Sequence, residues 1–297
     1  MKPAENGTSA TPHWSKVTVV GCGLVGSSFA LALKQKKLCA RIAGWDKNPQ
    51  VLQEALRLEI IDEIDEAFAA GGVSNADLIY LATPVRQIVD FLRRYGTQTK
   101  SGCIITDSGS SKVDICRAAR GHLPPDRFFV GGHPMAGSQN SGLTYAQAKL
   151  FAGAPYILTN DNAENKEPLA TIQETLESLG ANVKLMSPAE HDRTMALISH
   201  LPQLLSSALA AVVDTELGED SWRTLAGNGY TDMTRLAGSS WSIWRDIFAT
   251  NATPVAHGID LLLQRLIAVR EELKAGASGG GEELPETRGL FDRERSF

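Results

Sequence analysis

Cysteine is scarce in this chain. Four occur in 297 residues, at 22, 39, 103 and 116, with no C-x-x-C pair and no zinc spacing. A disulfide scaffold and a thiolate metal centre are therefore not expected. The thiols read as small buried hydrophobes of a reducing compartment. Basic excess is also lacking: 29 Lys and Arg stand against 34 Asp and Glu, a net charge of −5. That argues against nucleic acid as a partner. An anionic ligand would have to be held by a local Arg or Lys, not by the field of the whole protein. No apolar run reaches membrane-spanning length, and Met1–His13 is polar, without the apolar core of a signal peptide. These absences point to a cytoplasmic protein with no membrane partner.

What is present begins at Val17. A β-branched run, Val17 to Val20, feeds Gly21, Gly23 and Gly26 at the spacing G-x-G-x-x-G. Gly21 allows a tight turn, and Gly23 leaves bare backbone for a pyrophosphate. Gly26 lets the following helix, from Leu24 through Val25 to Lys37, pack close to the strand, with its N-terminus facing the phosphates. A second strand, Arg41 to Trp45, delivers Asp46. A carboxylate there accepts hydrogen bonds from the adenine ribose and repels a 2′-phosphate, which favours NAD over NADP. Asp46 could instead cap the next helix, but Asn48 followed by Pro49 is the better cap.

Strand-like and helix-like segments alternate onward. Ala76 to Ala82 ends at Thr83-Pro84, Gly102 to Thr106 at Asp107, and Arg127 to Val130 at Gly131-Gly132-His133. Pro155 to Thr159 and Asn182 to Met186 extend the same sheet. This predicts a Rossmann-type, doubly wound, mostly parallel sheet over 14–187, with ligands at the carboxyl ends of its strands. Thr83, Pro84 and Asp107 should then lie beside the nicotinamide. At Ser187 the texture changes: Ser187-Pro188-Ala189-Glu190 is a capping box, and an all-helical domain is expected over 188–275. Its last helix carries Ile259, Leu262, Leu266, Val269 and Leu273, a strip suited either to internal core or to a dimer interface. Residues 276–297 are Gly-, Glu- and Arg-rich and are expected as a disordered tail.

His133 sits in a segment (131–138) too glycine-rich for a packing element. It reads either as a turn histidine or as a base for an alcohol proton. Ser110 is either the cap of a helix beginning at Ser111 or a partner for a substrate hydroxyl, and the two are compatible. His191 and His200 are nine residues apart, on opposite sides of a helix, and no H-E-x-x-H spacing occurs, so no metal is expected. Ser199 and Gln203 share a face, and Pro202 could kink that helix. Arg235 reads as a carboxylate partner or as an ion pair with Asp232.

These pieces resemble the prephenate/arogenate dehydrogenases of tyrosine biosynthesis. The resemblance rests on residues 20–28, Thr-Asp-Ser-Gly-Ser-Ser-Lys (106–112) and Gly-Gly-His-Pro-Met-Ala-Gly-Ser (131–138). It also rests on Leu-Phe-Ala-Gly-Ala (150–154), His-Asp (191–192), Ser-His-Leu-Pro (199–202) and Thr-Arg-Leu-Ala (234–237). It implies a Rossmann domain, a helical domain that makes a homodimer, and NAD(P)-dependent oxidative decarboxylation of a cyclohexadienol. It further implies that His133 takes the ring hydroxyl proton, that Ser110 orients it, that Arg235 binds a substrate carboxylate, and that Ser199 and His200 wall the pocket. Members acting on prephenate often have His where Gln203 stands, and some have Lys where Thr231 stands. The departures lean towards arogenate or dual use. The rival reading is another dehydrogenase of the same plan acting on a small hydroxy acid or imine. Such enzymes often use a helical lysine, and no obvious candidate is seen.

Overall fold

A computed structural model describes residues 13–69, 75–136, 142–160, 165–218, 220–276 and 284–293. Eight strands form one sheet: β1 (Trp14–Val20), β2 (Cys39–Trp45), β3 (Glu63–Ile64), β4 (Leu78–Leu81), β5 (Ile104–Asp107), β6 (Phe128–Pro134), β7 (Pro155–Thr159) and β8 (Asn182–Met186). Their order is β3-β2-β1-β4-β5-β6-β7-β8. Among the described residues, β6 and β7 pair antiparallel and the other neighbours pair parallel. The chain works outward from β1 to β3 and returns to the other side of β1 at β4. A crevice therefore opens at the carboxyl ends of β1 and β4, where α/β sheets bind ligands.

The helices are α1 (Leu24–Gln35), α2 (Pro49–Arg57), α3 (Glu66–Ala69), α4 (Val85–Tyr95), α5 (Val113–His122), α6 (Lys166–Ser178), α7 (Pro188–Met195), α8 (Leu201–Leu217), α9 (Asn228–Thr234), α10 (Trp241–Thr250), α11 (Ala252–Ala275) and α12 (Pro285–Arg293). Alternation along the central strands splits the core in two, as a sheet covered on both faces requires. Leu78 and Tyr80 pack with Phe29 and Leu33 of α1 and Leu176 of α6. Ile79 and Leu81 pack with Ile88 and Leu92 of α4 and Ile115 of α5. Phe29 stacks on Tyr80 with 3.9 Å between ring centroids.

Differences from the sequence reading are clearest at β3, β6 and α5. The two-residue β3 carries too little pattern to be seen. β6 does not stop at Val130: it runs through His133, pairing first with β5 and then, from Gly131, with β7. Gly131 and Gly132 are packing residues. A Cβ on either would strike the Thr159 hydroxyl or the Asp107 carbonyl. Gly137 and Ser138 lie outside the described residues. α5 starts at Val113, not Ser111. Ser110 is not its cap, because the Asp192 carboxylate accepts the Lys112 and Val113 amides at 2.7 and 2.9 Å.

The chain forms two compact units. One holds residues up to Asp192 together with Ser239–Thr250; the other holds Arg193–Gly238 and the chain from Asn251. The segment containing α10, read from sequence as part of the helical domain, thus belongs to the sheet unit. There Thr250 bonds Ser111 (2.7 Å) and Asp246 pairs with Arg245 (3.1 Å). Ser187 caps α7 as expected, accepting the Glu190 amide at 3.2 Å. The tail expectation is corrected over 285–293, which form α12, held by Glu272 through the Glu286 and Thr287 amides at 2.9 Å each. Its remainder, 277–283 and 294–297, lies outside the described residues.

One further expectation is corrected. The stretch Pro188–Leu217 is, by length and mean hydropathy (1.6), apolar enough to cross a membrane. It passes through a π-helical turn at Ala196–His200. Pro202 has no N–H to offer four residues back, and the widened turn accommodates that loss.

Candidate active site

Each fingerprint glycine occupies a place that its lack of a side chain explains. Gly21 has φ +95°, and a Cβ there would collide with the Ala82 carbonyl. At Gly26 a Cβ would meet the Gly21 carbonyl and Val19. At Gly23 a Cβ would have nothing within 4 Å, and no side chain caps α1 there. The Leu24, Val25 and Gly26 amides have no intrahelical acceptor and stand at a positive helix end, the environment that a pyrophosphate fits.

Asp46 is not idle. Its carboxylate accepts the Cys22 amide at 3.0 Å and the Asn48 amide at 2.9 Å. Two bonds fix its orientation and leave lone pairs on both oxygens for ribose hydroxyls. Asn48 caps α2 through the Gln50 amide at 3.0 Å. Beside Asp46, a cleft of about 250 Å³ is lined by Trp45, Lys47, Thr83, Phe91 and Tyr95 among others. Its aromatic walls suit a planar base, and Trp45, Phe91 and Tyr95 were not singled out as site residues from sequence. Pro84 is the N-cap residue of α4. The glycine turn, the free helix end, Asp46 and the cleft together fit a dinucleotide.

Asp107 does not fit the cofactor role assigned to it. It has no exposed surface. One oxygen accepts the Gly132 amide (2.9 Å), and the other accepts the Gly109 amide (2.7 Å) and pairs with Lys112. Lys112, also fully buried, donates to the Gly132 carbonyl at 2.6 Å. This pair braces the strand that carries His133, and its role escaped the sequence reading. Ser110 lies half-buried in the loop between Asp107 and Lys112.

His133 is buried (9% exposed), opposite Ile157 in the ladder. Its Nδ1 lies 2.8 Å from Nε2 of His191, whose Nδ1 lies 2.7 Å from Asp192. Burial, aided by Lys112, holds His191 below the ordinary histidine pKa despite its bond to Asp192. The His-Asp pair was visible in sequence, but nothing there linked it to His133. Burial pushes the thiols of Cys22 and Cys103 up to about 12 and those of Cys116 and Cys39 to about 11.

In the helical unit, Arg235 opens a 3₁₀ turn and is exposed. The alternative ion pair with Asp232 is not formed, and Arg235 has no ion pair among the described residues. Gln203 is buried; its amide nitrogen donates to the Leu236 carbonyl at 2.8 Å, next to Arg235. Its Oε1 has no hydrogen-bond partner among the described residues. Thr231 is exposed and donates to the Gly227 carbonyl at 3.2 Å. His200 is buried, its Nδ1 3.0 Å from the Asn251 amide nitrogen; Ser199 beside it is half-buried.

Two family models cover nearly the whole described chain: the nucleotide-binding domain of prephenate dehydrogenase over residues 29–185, and its dimerization domain over 187–287. The chain belongs to the prephenate dehydrogenase family. Among relatives of this family, the prephenate dehydrogenase of Bacillus subtilis strain 168 is 34% identical over 258 residues, 86% of this chain and 69% of that one. The cyclohexadienyl dehydrogenase of Zymomonas mobilis is 32% identical over 273 residues, 91% of each. In structure, the chain resembles Aquifex aeolicus prephenate dehydrogenase, solved in complex with hydroxyphenyl propionate and NAD+, with a TM-score of 0.83 and 31% identity. That match covers 95% of this chain and 97% of the other.

Proposed function

We propose that the chain catalyses the NAD-dependent oxidative decarboxylation of a cyclohexadienol in tyrosine biosynthesis, with arogenate as the favoured substrate. The observation that carries this reading is His133, a buried imidazole held beyond the last residue of β5 in a chain whose glycine turn fits a dinucleotide. The bound nicotinamide supplies the acceptor for the hydride that leaves the ring carbon. His133 takes the hydroxyl proton as that carbon becomes a carbonyl. Loss of the ring carboxylate as CO2 then makes the product aromatic and the step irreversible. Ser110 orients the hydroxyl, and Arg235, whose guanidinium has no ion pair among the described residues, binds a substrate carboxylate bidentately.

The substrate side chain is argued from Gln203. The Leu236 carbonyl pins its amide nitrogen, so the side chain presents an acceptor, Oε1, that has no partner among the described residues. A buried acceptor is best satisfied by a donor. An ammonium group, as on arogenate, provides one; the keto group of prephenate does not. Asp46 favours NAD over NADP. Measuring kcat/KM for arogenate and prephenate, each with NAD and NADP, tests all of this. The expected order places arogenate with NAD first. Higher kcat/KM for prephenate refutes the role of Gln203, and turnover of neither refutes the activity.

The same reading makes the protein a cytoplasmic homodimer. Only Val255 and Gly258 of the 24-residue α11 are buried, while Leu261, Leu263, Leu266, Ile267 and Leu273 are 44–51% exposed. That apolar surface, with the exposed face of the 188–217 stretch, suits a second copy of the chain better than water. Four free cysteines accord with a reducing compartment.

A further inference from the structure

We propose that His191 and Asp192 are a positioning pair that sets the tautomer of His133, holding its Nε2 as the nitrogen that takes the substrate proton. The inference rests on the assignment of His133 as base. The chain of donors runs in one direction only. Asp192 is an acceptor, already fixed by the Lys112 and Val113 amides at the start of α5. The ring nitrogen facing it, Nδ1 of His191, must therefore carry a proton. His191 has no exposed surface and lies among Asp192 of α7, Asp107 of β5 and Lys112 before α5. Its neutral form is favoured there, so Nε2 keeps its lone pair. Nδ1 of His133, 2.8 Å away, is then the donor of that bond. The remaining lone pair of His133 is on Nε2.

During turnover the hydroxyl O–H bond breaks, a new N–H bond forms at Nε2, and the hydride leaves with the electron pair to the nicotinamide dinucleotide. The resulting imidazolium keeps its Nδ1–H on His191, and Asp192 stays ionised, as an orienting carboxylate does in other proton relays. Asp192 also caps α5, so the proton acceptor and the helix start share one anchor.

Two measurements test the pair. Long-range ¹H–¹⁵N spectra of the ligand-free protein, labelled at histidine, read the tautomers without turnover. The proton is expected on Nδ1 of both His133 and His191; an Nε2-protonated His133, or a doubly protonated His191 at pH 7, overturns the proposal. The second is kinetic. His191→Leu removes the acceptor and is expected to lower kcat by about 10²-fold, with the KM for NAD unchanged. His191→Gln offers a carbonyl in the same place and is expected to recover part of that loss. Unchanged kcat in folded His191→Leu also overturns the proposal. Should that variant not fold, the spectra and His191→Gln decide. A wild-type protein inactive on both substrates defeats the functional reading instead, while the tautomers of the ligand-free protein remain readable.

Discussion

Lys112 shows how much one residue can carry unseen. Its ammonium has no exposed surface, and its charge is paired with Asp107. Removing one partner of such a pair leaves an uncompensated buried charge. Lys112→Met is therefore expected to cost about 3–5 kcal/mol, read from the urea midpoint, whereas an exposed change such as Arg57→Met should cost under about 0.5 kcal/mol. His191 carries a pH signature. Its folded-state pKa is depressed below the unfolded value, so its neutral form supports the fold above that value, and the support is lost as pH falls through the folded pKa. Tm is expected to drop more between pH 7 and pH 5 in the wild type than in His191→Gln. At this scale the fingerprint glycines and Asp46 were legible, because each answers a local steric or charge requirement. Asp107 was misread because strand-end position does not reveal which way a side chain points. The partner of His133 stayed hidden because it lies 58 residues along the chain.

Elements were legible wherever hydrophobic periodicity ran for several residues, and their ends were not. β6 is the clearest case. Glycine suggested a turn, yet Gly131 and Gly132 let the strand lie close to β5 and β7. The start of α5 was mistaken because its cap comes from Asp192, far along the chain, and capping rules look only at neighbours. α12 was missed because its stabiliser is again remote: Glu272 of α11 holds its first turn. Burial does not explain the shift in that carboxyl; hydrogen bonds from Thr287 and Glu286 hold it below the usual range. Glu272→Ala is expected to speed amide exchange at Glu286 and Thr287 while leaving α11 near Leu262 unchanged. Equal protection in both variants would contradict that role.

For the whole molecule, alternation of strands and helices revealed the sheet, and the change of texture at Ser187 revealed the helical part. The return of Ser239–Thr250 to the sheet unit was illegible, since a helix of one periodicity can pack in either place. The proposed homodimer belongs to this scale: light scattering at micromolar concentration should give twice the 31.9 kDa chain mass. Leu266→Lys with Ile267→Lys should shift the protein towards monomer; a wild-type monomer would contradict the dimer. The account as a whole turns on His133 as the proton acceptor of an oxidative decarboxylation. Its most direct test is NADH formation from arogenate and NAD by the wild type and by His133→Asn, both verified as folded. The account predicts steady NADH release by the wild type and a kcat lowered by about 10²-fold or more in the variant; equal kcat in the two proteins would contradict it.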